Sequence, residues 1–551
     1  MQVILKPLFS RLNTLESCPL DCQDSCQIKQ IKALSGESCP LSVHQVQTYA
    51  EVKQGDADVI FSTAVTGDGK SLAAYLPALR DPRFRIMGLY PTIELVEDQT
   101  RSQQGWHKTF ELDAAERIDC LFGEELSQRV QQAGKSSKYT ELLKTIELKP
   151  IILTNPDIFH LMTHGQYRTP QYNNLRLPMM LADFPDLWVF DEFHIFGPHQ
   201  ETAVLNSMIM IRQTQQNRRP RRFLFTSATP KQNFIAQLQQ AGLKTQVIAG
   251  SYTSEDISGY RQILQSIELD FVTLGDGGVI DWLTENVTLI RELLETERQG
   301  RGLIILNSVA QAGQAVKLLS ELLPMVQVQE ISGRVDRQGR SQTQAALQNS
   351  EQPVLVVGTS AVDVGVDFDI HLLIFEGSDS ATVIQRLGRL GRHAGFTQYK
   401  AFLLISGRTP WVMATLEEQL QAESTIDRHD LMAAIDEAFT APKEFERYRD
   451  QWGVLQAQGM LAQFRTQESG EITKPIRQRM TADLQKVYGE KFEQVAYCRL
   501  KELDKSVVSA VQDELIRFRG SSSLQAAVWD GDRFYTSDLL RLLPYTQVHI
   551  I

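Results

Sequence analysis

Residues 58–71, DVIFSTAVTGDGKS, constrain the fold more than any other stretch of the chain. A short apolar run leads into a loop carrying Gly67 and Gly69, then into a helical pattern, LAAYLPAL. Strand, glycine loop and helix in this order let backbone N–H groups close around phosphate oxygens, because glycine reaches backbone angles that side chains forbid. The helix adds the positive end of its dipole at the same point. Ala64 stands at the first glycine position, and Thr66, Gly67, Asp68 and Gly69 complete the cradle. Lys70 is placed for the β and γ phosphates and the Ser71 hydroxyl for Mg²⁺.

The surrounding pattern supports a parallel sheet. Apolar runs DVIFS, RIMGLY, PIILT, LWVFD and RFLFTS alternate with helical segments up to residue 250. Runs apolar at every position need cover on both faces, which crossover helices supply. AGSYTSEDISG reads as a linker. A second series follows: RGLIILNS, QVQEISG, PVLVVGTS, HLLIFEG and YKAFLLIS. The expected organisation is an N-terminal extension over 1–40, a first α/β domain over 41–250, a linker over 251–259, a second α/β domain over 260–414, and a mainly helical region over 415–551. AAVWD-GD-RFYTS near the end reads as a hairpin.

The run LWVFD ends in two adjacent carboxylates, Asp191 and Glu192. In a phosphate-binding sheet a second strand end must hold the cation and prepare water, so Asp191 is assigned to Mg²⁺ and Glu192 to the attacking water.

Net charge is −11, so any nucleic-acid contact has to be local rather than a whole-surface effect. The arginines of RRPRR, 218–222, read as a solvated loop. No apolar run reaches membrane-span length and MQVILKPLFSRL lacks a signal-peptide core, so no membrane partner and a cytoplasmic location are expected. Cys18, Cys22, Cys26 and Cys39 could hold Zn²⁺ or an iron–sulfur cluster. The absence of a C-x₂-C pair and the presence of Pro19 favour small apolar core residues instead. The His429–Asp430 dipeptide is assigned no metal role.

DEFH (191–194), SAT (227–229) and QRLGRLGR (385–392), together with AVTGDGKS, resemble superfamily 2 DExH helicases over residues 44 to about 395. The resemblance implies two tandem RecA-like parallel-sheet domains of α/β class. It implies ATP as nucleotide, with Gln45 reading adenine and Lys70, Asp191, Glu192, Gln385, Arg389 and Arg392 as catalytic groups. Arg389 and Arg392, three apart, share a helical face and would reach the γ-phosphate as arginine fingers. In GTSAVDVGVDFD, Thr359, Asp363, Gly365 and Asp367 match a further motif; Gly365 and Asp367 would face the nucleotide. His194, Ser227 and Thr229 would couple hydrolysis to movement. Pro91, Thr92, Thr154, Asn155, Ser308 and Thr359 would hold a nucleic-acid backbone.

Within the superfamily, TSAVDVGVDFD and QRLGRLGRHAG are most similar to the CRISPR-associated type I interference helicases. The phosphate loop begins within seventy residues of the start, which leaves no space for a preceding HD-type nuclease. The expectation is therefore a stand-alone form of type I-D kind. It would unwind single-stranded and duplex DNA with 3′–5′ polarity beside a guide-RNA effector complex, with a nuclease subunit in trans. Two alternatives stay open: an ATP-gated docking protein for a nuclease complex, and another DNA-repair or RNA helicase of the superfamily.

Overall fold

The computed structural model describes residues 1–14, 39–134, 136–165, 167, 176–215, 221–227, 231–332, 350–360, 362, 369–439, 446–463, 470–490, 492, 518, 525–529 and 534–538. Two sheet-centred lobes dominate it. The first sheet is parallel throughout and runs β5-β6-β4-β7-β8-β3-β9. Its strands are β3 (Val59–Ser62), β4 (Ile86–Leu89), β5 (Ile118–Leu121), β6 (Ile151–Thr154), β7 (Leu187–Phe190), β8 (Arg222–Thr226) and β9 (Thr245–Ile248). Side chains alternate across it as a pleated strand requires. Val59, Phe61, Trp188 and Phe190 enter one core and Ile60, Leu187 and Val189 the other.

The second sheet runs β14-β15-β13-β16-β17-β12-β1-β18. It comprises β1 (Gln2–Leu5), β12 (Ile267–Thr273), β13 (Arg301–Ile305), β14 (Gln327–Ile331), β15 (Val354–Gly358), β16 (Leu372–Glu376), β17 (Lys400–Ile405) and β18 (Ser424–Ile426). The tandem α/β architecture expected from sequence is present, and all ten apolar runs are strands. Helices also dominate the described part of the C-terminal region, and β19 (Gln525–Trp529) pairs with β20 (Phe534–Asp538) as a hairpin.

Three boundaries are corrected. The first residues do not form a separate extension: β1 pairs antiparallel with β12 and parallel with β18 inside the second lobe. The linker is not a plain connection. β10 (Tyr252–Thr253) and β11 (Tyr260–Leu264) flank β2 (Leu8–Arg11) in a three-stranded sheet that belongs to neither lobe. The second lobe also continues past 414, because Leu416, Leu420, Leu431, Ile435 and Phe439 complete its core.

The helices Glu446–Gln463 and Gly470–Tyr488 return to the first lobe and pack on the helix Pro198–Thr214. Val454, Met460, Met480 and Leu484 join that lobe's core. Asn206 is fully buried at this contact; its Nδ2 donates to the Gly453 carbonyl (3.1 Å) and its Oδ1 accepts from the Tyr488 hydroxyl (2.9 Å). A Cβ added at Gly453 would meet Thr202 Cγ2 at 2.3 Å and the Tyr488 hydroxyl at 2.6 Å. Alanine favours a helix over glycine by about 1 kcal/mol, but overpacking costs about 1–3 kcal/mol. Gly453→Ala is expected to lower the urea midpoint of unfolding; an unchanged or higher midpoint contradicts this packing.

Candidate nucleotide site between the lobes

The phosphate loop links β3 to the helix Lys70–Arg80. Gly67 (φ +92°) and Gly69 (φ +78°) both lie in the left-handed region, which turns the loop back over the helix N-terminus. Lys70 is buried, and its Nζ donates to the Ala64 carbonyl at 2.8 Å. Burial pushes its pKa down, the charges of Glu192 and Asp191 oppose that, and the nearby Arg392 charge adds to it. Ser71 Oγ accepts from Gln99 Nε2 at 3.3 Å.

Asp191 follows β7, and its N–H donates to the Leu89 carbonyl of the neighbouring strand at 3.0 Å. The Thr226 hydroxyl donates to its carboxylate. Burial and the adjacent Glu192 raise the Asp191 pKa to about 6 against the Thr226 hydrogen bond and the Lys70 charge, which leaves the carboxylate pair a demand for further positive charge. That demand, with the Ser71 hydroxyl at the helix N-terminus, fits Mg²⁺. Among the described residues no group of three or more His, Cys, Asp or Glu side chains is gathered as a metal site.

Glu192 adopts φ +51°, ψ +43°, a strained conformation for a non-glycine residue that aims its side chain at the cleft. Its Oε2 lies 3.4 Å from His194 Nδ1. The other His194 nitrogen, Nε2, lies 3.0 Å from Gln385 Oε1 in the second lobe, so the DEFH segment touches the opposing lobe directly.

Gln385 sits in the helix Ser380–Leu387, capped by Asp379. Arg386 faces away and anchors this helix by donating to Asn307 Oδ1 (2.9 Å) and the Glu376 carbonyl (2.7 Å). The loop that follows carries Arg389, which is buried, and Arg392, whose Nε donates to the Gly388 carbonyl at 2.7 Å. A Cβ on Gly67 would lie 3.9 Å from Arg392 Cγ, and one on Gly388 would lie 3.7 Å from Thr66 Cβ. The arginine loop therefore rests on the phosphate loop. Thr66, Gly67, Gly69, Lys70, Ser71, Asp191, Glu192, Gln385, Arg389 and Arg392 line a cleft of about 300 Å³.

Leu95, Asp98, Gln99, Ser102 and Trp106 of the helix Ile93–Thr109 extend this cleft and were not anticipated. Their near-four-residue spacing after YPT was the available signal.

Other expected residues lie elsewhere. Gln45 is fully buried: its Oε1 accepts from the Ser42 N–H (3.0 Å) and its Nε2 donates to the Gly69 carbonyl (2.9 Å). One end of this amide thus caps its own helix at Ser42 and the other braces the phosphate loop at Gly69. Asp68 is also fully buried and points away from the cleft. Thr154 is buried, with its hydroxyl donating to the Leu121 carbonyl at 2.6 Å, so it does not offer that hydroxyl to a nucleic-acid backbone. Thr92, Asn155 and Ser308 cap helices through their side-chain oxygens. Pro91 and Thr359 share with them the C-terminal strand edge of their sheets, the edge at which open α/β sheets bind ligands. Ser227 is buried, and its N–H donates to the Ser62 carbonyl at 3.1 Å. Cys39 packs in an apolar cluster with Leu41, Val46 and Leu72. Thr229, Asp363, Gly365, Asp367, Cys18, Cys22 and Cys26 fall outside the described residues. Among the described residues no helix is long and apolar enough to cross a membrane.

Residues 42–238 match the family described as DEAD/DEAH box helicase. Residues 298–395 match the family described as CRISPR-associated nuclease/helicase Cas3, C-terminal. A curated relative, the ATP-dependent DNA helicase RecG of Haemophilus influenzae, is 25% identical over 344 residues, covering 59% of this chain and 42% of RecG. The helicase Lhr of Mycobacterium smegmatis, solved with single-stranded DNA and AMP-PNP, superposes with a TM-score of 0.58 at 16% identity, covering 95% of this chain and 61% of Lhr. T. fusca Cas3 with ATP superposes with a TM-score of 0.53 at 15% identity, covering 87% of this chain and 59% of Cas3. The chain thus spans less than two thirds of the length of these relatives.

Proposed function

We propose, from a superfamily 2 helicase core that is DEAD/DEAH-box in its first half and Cas3-like in its second, that this chain is an ATP-driven DNA helicase of CRISPR interference. In this reading it translocates 3′–5′ and opens target DNA beside a guide-RNA complex, for a nuclease on a partner subunit. One observation carries the reading. Lys70, Asp191 and Glu192 of one lobe face Gln385, Arg389 and Arg392 of the other across one cleft, and His194–Gln385 bridges it at 3.0 Å.

In the proposed mechanism the loop N–H groups and the helix N-terminus bind the β and γ phosphates. Lys70 exchanges its Ala64 carbonyl partner for phosphate oxygens. Glu192 accepts a proton from water as the water oxygen attacks the γ-phosphorus and the bond to the ADP oxygen breaks. Arg389 and Arg392 stabilise the charge on the transferring group. Mg²⁺, held by Ser71 and Asp191, would screen the phosphate charge. Hydrolysis removes the group that both lobes grip, and the His194–Gln385 contact carries that change to lobe movement. The strand lies across the C-terminal sheet edges, held through its phosphates.

The test measures ATP hydrolysis alone, with single-stranded DNA and with single-stranded RNA, together with displacement of duplexes bearing 3′ or 5′ tails. Stimulation by DNA and displacement from 3′ tails are expected. Stimulation without displacement would instead identify a docking ATPase, selective stimulation by RNA an RNA helicase, and absence of hydrolysis would overturn the reading.

A further inference from the structure

Asp68 stands between the two glycines of the phosphate loop, where a carboxylate would repel a triphosphate if it faced the cleft. It is fully buried and faces the three-stranded sheet instead. Its Oδ2 accepts from Ser10 Oγ of β2 (2.8 Å) and from the Tyr252 hydroxyl of β10 (3.1 Å). His44 Nε2 lies 3.1 Å from the same oxygen and 2.9 Å from the Asp68 carbonyl oxygen. Arg261 Nη2 of β11 lies 3.6 Å from Oδ1. Burial pushes this carboxyl up, but hydrogen bonds from His44 and Ser10 and the Arg261 charge outweigh it and hold the pKa below the usual value. The Tyr252 hydroxyl also accepts from the loop N–H of Val65 at 2.9 Å. Every strand of the small sheet therefore contributes a side chain to one loop carboxylate.

The same stretch of chain grips the other half of the cleft. Just past β11, the Gln265 N–H donates to the Gly391 carbonyl of the arginine loop at 2.8 Å. Arg428 Nη2 in turn donates to the Gln265 carbonyl at 2.7 Å. A Cβ on Gly67 would lie 4.0 Å from the Ile263 carbonyl. Residues 261–265 thus touch the phosphate loop at Asp68 and the arginine loop at Gly391.

We infer that Asp68 is a positioning residue: through Ser10, Tyr252 and Arg261 the small sheet sets the phosphate loop in register with the arginine loop. The inference rests on the proposed ATPase reading. Asp68 has no contact with the cleft, so its role is to keep two catalytic surfaces aligned as the lobes move. Misalignment weakens interactions made in the transition state more than those of the bound nucleotide, so kcat falls while KM holds.

Asp68→Asn keeps the shape and removes the charge; Tyr252→Phe removes two hydrogen bonds and keeps the charge. With single-stranded DNA, Asp68→Asn is expected to lower kcat about tenfold or more with KM for ATP within about twofold, and Tyr252→Phe about threefold. The double variant should lose less than the product of the two single losses, because both weaken the Tyr252–Asp68 contact, while the Val65 N–H bond is lost through Tyr252→Phe alone. A raised KM with unchanged kcat, additive losses in the double variant, or a lowered melting temperature with kcat and KM unaltered each overturn the proposal. Hydrogen exchange without nucleotide gives a reading independent of hydrolysis. Both variants should speed exchange in peptides covering 64–70 and also in those covering 388–392; faster exchange confined to the first overturns the coupling. Wild-type chain that fails to hydrolyse ATP, yet shows both exchange changes on substitution, would sink the ATPase reading and keep the clamp.

Discussion

Lys70→Ala is expected to abolish ATP turnover, by on the order of 10³-fold or more, with the chain still folded. In the proposed mechanism the ammonium is the cation that the first lobe brings to the phosphates, in a cleft where burial already lowers its pKa and two carboxylates and Arg392 act on it. Removing one fixed charge aimed at a developing anion in such a site costs about 3–4 kcal/mol, or 10²–10³ in rate. Lost phosphate binding adds to this. The fold should persist because Lys70 opens its helix and donates only to the Ala64 carbonyl, while Leu72, Ala73, Tyr75 and Leu76 keep that helix packed. Alanine is also the stronger helix former. Steady-state phosphate release and a thermal melt together make the measurement; turnover within about tenfold of wild type would remove Lys70 from the site.

Arg392→Ala is expected to leave ATP affinity within a few-fold and to slow hydrolysis by on the order of 10³-fold, the size of an arginine-finger contribution. Its Nε is tied to the Gly388 carbonyl, which fixes the side chain, and its stem lies beside Gly67 of the phosphate loop. Arg389 is buried beside it and comes from the same turn of chain, so the two effects should be strongly non-additive. Single-turnover hydrolysis alongside equilibrium nucleotide binding separates the roles. If affinity collapses while the single-turnover rate survives, Arg392 binds nucleotide and does not act on the transition state.

Much of this site could be read before any coordinates. Val59–Ser62 and Arg301–Ile305 were legible as strands because short apolar runs must be covered on both faces, whatever the rest of the chain does. Gly67 and Gly69 were legible as a turn that only glycine makes easily. The Asp191–Glu192 pair stood out because two like charges side by side at a buried strand end are costly to hold. Less could be read where function depends on what a side chain touches. Gln45 looked like a base reader and instead braces Gly69. Thr154 looked like a phosphate contact and instead bonds across two strands. QVIL at residues 2–5 carries no signal that it pairs with Ile267–Asp270.

Taken alone, the amino-acid order determined the local units, strand, glycine loop, helix and carboxylate pair, because each is set by neighbours a few residues apart. Only tertiary structure decided that the first strand enters the second lobe, that the helices Glu446–Gln463 and Gly470–Tyr488 return to the first, and that a loop aspartate answers to Ser10 and Tyr252, 58 and 184 residues away. Such contacts depend on which distant segments meet when two cores close, and no local pattern of apolar and polar residues encodes that meeting.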